Sequence, residues 1–337
     1  MVNKKAAIWM NWIGILVLLG MVISLFSLSV GATKITHDQM ICFFVNPDTA
    51  SSYYNILLNI RLPRILLGFA VGSALSLCGV ILQGMFRNPL VEPYTLGISG
   101  GAALGVCVNI AMHLNRTIGV ISVPISGFLG AGCIIVFVYF LSMHKGVLKI
   151  QGLLLSGVMV SFICSSLFML IMAVMRIEDL HGIIFWTMGS LDQPSWLLIK
   201  SMIVLSIAGL LCSYLFCRDL NAFALGQEHA HHLGVNVSKT KKILFLLTSL
   251  LTGCSVGVCG IIGFVGLVIP HFMRLFVGGD HRILLISSYL AGGMFLIASD
   301  AIARTIIAPL ELPVGVITGI IGGTIFIYAL NRKRAGV

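Results

Sequence analysis

Long apolar runs separated by short polar segments organise the whole chain. An α-helix needs about 20 consecutive apolar residues to cross the hydrocarbon core of a bilayer, and most of the runs have this length. The pattern predicts spanning helices over residues 6–32, 65–86, 94–114, 118–143, 152–175, 196–217, 283–308 and 312–330. The first run is much longer than the roughly 7–15 apolar residues of a signal peptide, so we interpret it as a span followed by a polar segment at 33–59.

The run at 243–273 is too long for a single crossing. As one helix it would measure about 46 Å, against a hydrocarbon core of roughly 30 Å. Five glycines and Pro270 also interrupt it. The run therefore predicts one full helix and one short return helix, which brings the total to ten transmembrane helices, one of them short, with both termini on the same side.

The distribution of charge supports this count. The segments that it places inside carry fourteen of the 21 Lys and Arg residues and four of the eleven Asp and Glu residues. The segments placed outside carry the remaining seven of each. Because Lys and Arg favour the cytoplasmic side, we expect both termini in the cytoplasm. The net charge of +10 then follows from topology and not from nucleic-acid binding.

Composition agrees with a membrane protein. Hydrophobic residues make up 58% of the chain and charged residues only 9%, whereas soluble domains are about a quarter charged. We predict an all-α polytopic membrane protein with a single transmembrane domain over 1–337. The nine cysteines occur singly in apolar runs, which is typical of small buried hydrophobic residues and not of a disulfide framework.

The segment at 218–242 is the longest polar stretch in the middle of the chain, and it lies between two predicted spans. It contains two short helical pieces, at 220–225 before Gly226 and at 227–233 before Gly234, and four basic residues. A folded basic loop between two spans is more than a linker. We therefore predict a cytoplasmic platform that binds a soluble partner.

Several residues suggest other chemistry. Ser238-Lys239-Thr240 lacks the glycine of a P-loop, so we expect no ATP hydrolysis by the chain itself. Asp300 is the clearest carboxylate for proton coupling in a secondary transporter.

Residues 97–101 match G-x-S-x-G, which leaves an intramembrane serine protease as an alternative, with Ser99 as nucleophile and His271 as base. That motif requires a strand–turn–helix setting, and here it opens a predicted membrane helix.

Polar and small-residue clusters each allow two interpretations. Glycines recur every four residues at 97–105, 253–257 and 315–323, which indicates either close helix packing or a narrow path. His229, His231 and His232 form either a solvated helix face or part of a metal site. Arg61, Arg64 and Arg304 lie near the outer ends of spans, where they would anchor the helices or capture carboxylates of a docking protein.

Several stretches together resemble one family. They are RLPR at 61–64, LQGMFRNPLVEPYTLGISGGAALG at 82–105, ALGQEHAHHLGV at 224–235, GFVGLVIPHFMRL at 263–275, DHR at 280–282 and ELPVGVITGIIGG at 311–323. They occur in consistent order over essentially the whole chain. The sequence resembles the iron-chelate and vitamin B12 (FecCD-type) permeases of bacterial ABC importers.

The resemblance implies a type II ABC importer permease in the bacterial inner membrane, working as a homodimer. Two cytoplasmic ATPase subunits would carry ATP and Mg, and a periplasmic substrate-binding protein would deliver the substrate. This chain would bind no cofactor and no metal, would contact membrane lipid and would not bind nucleic acid. The implied cargo is a ferric siderophore, with haem, cobalamin and molybdate as alternatives.

The resemblance also assigns residues. The ATPase-coupling residues would be Ala224, Leu225, Gly226, Gln227, Glu228, Ala230, Leu233 and Gly234. The docking residues for the binding protein would be Arg61, Arg64 and Arg304. The gate and pathway would include Ile150, Gln151, Met159, Met169, Gly315 and Gly319. Ile150 and Gln151 depart from the small hydroxyl residues that the family pattern leads us to expect at the inner gate.

Overall fold

The computed structural model describes residues 2–31, 33, 35–45, 51–119, 121–144, 147–148, 150–193 and 195–335. Within them all regular secondary structure is helical apart from one two-residue ladder, β1 (Met143–His144) against β2 (Val147–Leu148). The first helices in chain order are α1 (Val2–Ser29), α2 (His37–Val45), α3 (Ser52–Ile56), α4 (Leu62–Phe86), α5 (Ile98–Ala111), α6 (Leu114–Thr117), α7 (Ser122–Ser142) and α8 (Ile150–Val174). The remaining helices are α9 (Ile177–Thr187), α10 (Trp196–Leu215), α11 (Cys217–Leu225), α12 (Gln227–His232), α13 (Val237–Cys259), α14 (Val265–Val277), α15 (His281–Ala303) and α16 (Val314–Ala335).

The number of long apolar helices agrees with the predicted fold. Among the described residues, seven helices are long and apolar enough to span a membrane, and three shorter apolar helices accompany them. The predicted all-α polytopic fold is therefore confirmed. The split of the 243–273 run is confirmed as well, because α13 ends at Cys259 and α14 begins at Val265.

The predicted helix boundaries are wrong between the first two spans. We expected a polar segment over 33–59, but α2 lies within it and α3 begins at Ser52. A π-helical turn, Leu57–Arg61, joins α3 to α4, so that one apolar helical stretch runs over Ser52–Phe86. Leu57 is fully buried. Packing of this turn against the neighbouring helices outweighs the polar composition that indicated a loop.

An antiparallel pair, α4 and α15, forms the centre of the bundle. A side chain at Gly68 would meet Ile297, one at Gly72 would collide with the carbonyl oxygen of Gly292, and one at Gly84 would meet the ring of His281. As residue numbers increase along α4, the numbers of the residues that they contact in α15 decrease, so the two helices are antiparallel. In this core helix pair the missing β-carbons let the two backbones approach closely.

The break between α13 and α14 is held by side chains from the α4–α5 region. The Tyr94 hydroxyl donates to the carbonyl oxygen of Ile262 (2.9 Å) and accepts from its backbone N–H (3.2 Å). The Gln83 amide donates to the carbonyl oxygens of Gly266 and Leu267, at 3.2 Å each. Non-helical backbone is tolerated at membrane depth only where protein groups satisfy it. Tyr94 does so within the break, and Gln83 binds the first turn of α14 beside it.

We predict that Gly72→Ala destabilises the protein, whereas Gly132→Ala does not. Alanine favours a helix over glycine by about 1 kcal/mol, and Gly132 in α7 has open space where a methyl group would go. At Gly72 the methyl group would meet the Gly292 carbonyl and the Leu296 side chain, and overpacking costs about 1–3 kcal/mol. The check is the thermal unfolding midpoint of each purified variant in the same detergent. Equal midpoints would contradict the close α4–α15 contact.

Candidate functional site

The predicted platform folds as two short helices, α11 and α12, between α10 and α13. Gly226 joins them with φ +118°, in the positive-φ region that glycine adopts without strain. The predicted division of this segment by Gly226 is therefore confirmed. We call the end of the bundle that carries α11 and α12 the loop end.

Most of the predicted coupling residues are exposed at the loop end. Ala224, Leu225, Gln227, Glu228, Leu233 and Gly234 are exposed, whereas Gly226 and Ala230 are buried. Leu225 and Leu233 are 63% and 65% exposed. The structure thus leaves these residues accessible, and a partner surface at the loop end stays a prediction.

Hydrogen bonds attach the loop end to the long helices. The Asn221 amide donates to Asp280 Oδ1 (2.8 Å), and Asn221 Oδ1 accepts from the backbone N–H of His281 (2.9 Å). Lys241 Nζ donates to Gln227 Oε1 at 2.8 Å. A displacement of α11 and α12 would therefore be transmitted to the first turns of α13 and α15.

The carboxylate at this junction is ionised at neutral pH. Burial alone would raise the pKa of Asp280, but the hydrogen bonds from Asn221 and from the backbone N–H of Arg282 outweigh burial and lower the pKa below its usual value. An ionised Asp280 is a strong acceptor for the Asn221 amide, which favours a firm link between α11 and α15.

Two arginines cap the end of α1 at the other pole of the bundle. Arg61 donates to the carbonyl oxygens of Leu28 (2.6 Å) and Ser29 (2.9 Å). Arg304 donates to the carbonyl oxygens of Ser27 (3.4 Å) and Val30 (3.1 Å) and to Ser27 Oγ (2.9 Å), and it pairs with Asp300 at 2.8 Å. The last carbonyl groups of a helix have no partner within the helix, so these guanidinium groups satisfy them.

Arg64 joins two acidic side chains at the same pole. It lies 2.7 Å from Glu311 and 3.4 Å from Asp192. The carboxylates are 43% and 71% exposed, whereas the Arg64 side chain is 7% exposed. A cavity of about 290 Å³ opens beside them, lined in part by Asp300 and Arg304. We call this pole, defined by Arg61, Arg64, Asp300 and Arg304, the charged end.

The three arginines that we predicted as anchors or docking residues have buried side chains. Arg61, Arg64 and Arg304 are 2%, 6% and 4% exposed, because internal carbonyl and carboxylate groups engage them. Asp300, the candidate for proton coupling, is instead the buried partner of Arg304. Docking of a protein at these arginines stays a prediction.

Sequence reasoning missed Asn221, Asp192 and Glu311 as functional residues. Glu311 lies in the ELPVG stretch that carried the family resemblance, and that resemblance could have pointed to it. Asp192 and Asn221 gave none, because their partners lie far away in the sequence.

The predicted pathway residues divide into three groups. The side chains of Ile150 and Gln151, at the start of α8, lie outside the described part of the chain. Met159 and Met169 are exposed on α8. Gly319 faces open space, but a side chain at Gly315 would collide with the carbonyl oxygen of Met188. Gly315 is therefore a close-packing position, and its place in the pathway stays a prediction.

The glycine stripe of α5 also serves packing. A side chain at Gly101 would come within 2.6 Å of the carbonyl oxygen of Gly130 in α7.

The intramembrane protease alternative lacks the strand–turn–helix setting that its motif requires, because the element before Ser99 is a short 3-10 helix, Pro93–Leu96, and not a strand. Ser99 lies in the first turn of α5.

The loop end and the charged end lie on opposite sides of the bundle. Arg64 and Gly84 are twenty residues apart on α4, which corresponds to about 30 Å along a helix. Gly84 packs against His281, whose backbone N–H bonds to Asn221. The separation of the two ends therefore matches the thickness of a bilayer core.

We predict that Arg304→Met lowers stability by about 3–5 kcal/mol, because it leaves the Asp300 carboxylate buried without its partner. The double variant Arg304→Met/Asp300→Leu removes both charges and is expected to unfold at a higher temperature than Arg304→Met alone. Arg176→Met, at an exposed position, is the matched control and is expected to behave as the unaltered protein. Thermal unfolding in detergent measures all three, and a double variant no more stable than Arg304→Met would contradict the paired-charge account.

Comparisons with known proteins agree with this architecture. The family model described as the FecCD transport family matches residues 17–332. The chain is 39% identical over 328 residues to the hemin transport system permease protein HmuU of Yersinia pestis, which covers 96% of both chains. It is 40% identical over 282 residues to the Fe(3+) dicitrate transport system permease protein FecD of Escherichia coli, with 84% of this chain and 87% of the relative covered.

Further relatives widen the range of substrates. The cobalamin import system permease protein BtuC of Halobacterium salinarum is 38% identical over 288 residues and covers 86% of this chain and 76% of its own length. A solved metal-chelate type ABC transporter in an inward-facing conformation superposes with a TM-score of 0.82 at 28% identity, over 96% of this chain and 99% of that one. The chain therefore belongs to the FecCD transport family, the multi-pass permease subunits of ABC transporters whose ATPase activity lies in separate subunits.

Proposed function

We propose that this chain is the permease subunit of a bacterial importer that passes a ferric siderophore across the inner membrane. The observation that carries the proposal is the two-ended bundle, with a partner surface at the loop end and a charged pole about 30 Å away, in a chain similar over most of its length to permeases for iron chelates. Haem is the second candidate, because the hemin permease matches 96% of this chain.

The loop end would face the cytoplasm together with both termini. In the homodimer two copies of a separate ATPase would dock, one on α11 and α12 of each permease chain, in contact with Leu225 and Leu233. They would carry ATP and Mg. Closure of the ATPase would push on α11, and the bonds of Asn221 to Asp280 and His281 would pass that displacement to α15. Because α4 packs tightly on α15, the charged end would move as well.

A second copy of the chain would cover the apolar face of α8. Only 17% of the spanning window of α8 is buried, compared with 89% for the stretch that contains α4. Its exposed residues include Met159 and Met169. Each copy would contribute a single transmembrane domain. In the homodimer the substrate path would run between the α8 faces of the two copies and along α16 at Gly319, where no neighbouring atom fills the space.

A periplasmic binding protein would dock at the charged end. Of the three arginines only Arg64 reaches the surface layer, through its contacts with the exposed carboxylates of Asp192 and Glu311. An acidic residue of the binding protein would compete with these two carboxylates for Arg64. Arg61 and Arg304 would hold the end of α1 in place beside this site through their hydrogen bonds to its last residues.

We predict that Leu225→Glu releases the ATPase while the permease stays folded. Leu225 is exposed, so the charge costs little in the free subunit but would be buried without a partner in the complex. Leu310→Glu is the matched control, because Leu310 is 69% exposed at the other pole. The measurement is the amount of ATPase that co-purifies with each tagged permease. Full retention by Leu225→Glu would contradict docking at this surface.

Transport in vesicles tests the substrate. The permease is reconstituted with an ATPase and a binding protein of the same importer class from its own organism, and is offered radiolabelled ferric siderophore, hemin, cyanocobalamin or molybdate. We expect ATP-dependent uptake of the ferric siderophore. Uptake of hemin alone would select the second candidate, whereas uptake of cobalamin or molybdate alone would contradict an iron chelate. Uptake that persists without the ATPase would indicate a secondary transporter and overturn the proposal.

A further inference from the structure

A cavity of about 630 Å³ lies where α10 and α13 meet the short helices of the loop end. We call it the interface pocket. Its lining includes Phe216, Arg218, Asp219, Asn236, Lys239 and Ile243. The volume falls within the range of about 300–1,000 Å³ that is typical of small-molecule sites. We propose that the interface pocket binds the phosphate headgroup of an anionic phospholipid.

The charges in the pocket favour an anion. Arg218 and Lys239 are exposed, and among the described residues neither side chain has an ion-pair partner. The carboxylate in the pocket, Asp219, accepts a hydrogen bond from Thr240 Oγ1 at 3.1 Å. Two cationic groups therefore face one anionic group that is already hydrogen-bonded. A phosphodiester adds one negative charge and balances the pocket.

The position of the pocket favours a lipid as the source of that phosphate. Exposed apolar residues form one stripe on α10, at Val204, Ile207, Leu211 and Leu215, and another on α13, at Ile243, Leu246 and Leu250. Their spacing of three and four residues places each stripe on one helix face. The α10 stripe ends beside Phe216, and the α13 stripe begins at Ile243 in the lining itself.

The two stripes belong to neighbouring helices. Leu251 of α13 packs against Gly209 of α10, where a β-carbon would come within 2.8 Å of the leucine side chain. Acyl chains lying along the stripes would therefore lead to a headgroup in the pocket. Basic pockets between membrane helices on the cytoplasmic side are suited to anionic headgroups. The cytoplasmic placement of this site rests on the proposed function.

The pocket also borders the surface proposed for the ATPase. Leu233 and Gly234 contribute to its lining and belong to the predicted coupling residues. A bound lipid would thus touch that surface without occupying Leu225. This position makes an ATPase interface the competing explanation for Arg218 and Lys239, and the experiment must separate the two.

The test is native mass spectrometry of the purified full-length chain in detergent, titrated with phosphatidylglycerol, phosphatidylcholine or soluble glycerol phosphate. The variant is R218Q/K239Q. The control is R176Q/K200Q, which removes the same two residue types at exposed positions away from the pocket. We expect phosphatidylglycerol to bind R218Q/K239Q roughly 30-fold more weakly than the unaltered chain, from the contributions of two basic residues. The control is expected to bind as the unaltered chain does.

Several results would overturn the proposal. They are equal binding of phosphatidylglycerol by all three proteins, equally tight binding of phosphatidylcholine, and competition by glycerol phosphate at the same concentration, which would indicate a site for a free anion. Unchanged lipid binding together with loss of ATPase co-purification by R218Q/K239Q would assign the pocket to the protein interface. If the double variant does not fold, R218Q and K239Q singly are each expected to weaken binding about fivefold. Lipid binding is measured without transport, so a failure of the proposed function leaves this result readable.

Discussion

The close contact of α4 with its neighbours is the constraint on which the rest of the structure depends. Gly72 meets the backbone of Gly292 in α15, and Gly79 meets the backbone of Gly266 in α14. No residue with a β-carbon fits at these crossings without moving a helix. Association in lipid relies on such close packing, because the bilayer supplies no hydrophobic driving force between helices. The contact packs α4, α14 and α15 closely together between the loop end and the charged end.

Each end of this unit carries polar groups that the bilayer core could not hold. At the charged end, Arg61 and Arg304 donate to carbonyl groups at the end of α1, and Asp300 pairs with Arg304. A buried charge is costly unless it is paired and hydrogen-bonded, so each member of the cluster needs the others. At the loop end, Asn221 ties α11 to the start of α15. The same closely packed helices therefore connect the loop end to the charged end on the other side.

This arrangement gives a physical account of how a permease without its own ATPase responds to one. Under the proposed function, a push on the exposed loop end would reach α15 through the hydrogen bonds of Asn221, and the close α4–α15 contact would oppose sliding between the two helices. The interface pocket lies beside the same loop, where two lipid-facing stripes end. Lipid and partner protein would then act on neighbouring parts of one surface.

Much of the fold followed from the order of residues along the chain. Hydropathy and charge were enough to predict the ten apolar helices, the split at 243–273 and the two short helices divided by Gly226, because each depends on neighbours within one or two turns. The resemblance of the ELPVG and ALGQEHAHHLGV stretches to a family added the type of protein.

The tertiary structure alone decided the partners of the polar groups. Arg61 bonds to a carbonyl group 33 positions away, and Arg304 to a serine 277 positions away. A local pattern contains no information on such pairs, so arginines that looked like surface anchors proved to be buried caps. Gly315 and Gly319 likewise share one stripe in the sequence, yet one packs against backbone and the other faces open space. Sequence determined most of the helical segments, with α2 and α3 as exceptions. Packing determined which faces the helices present, because contacts between distant helices form only when the whole bundle assembles.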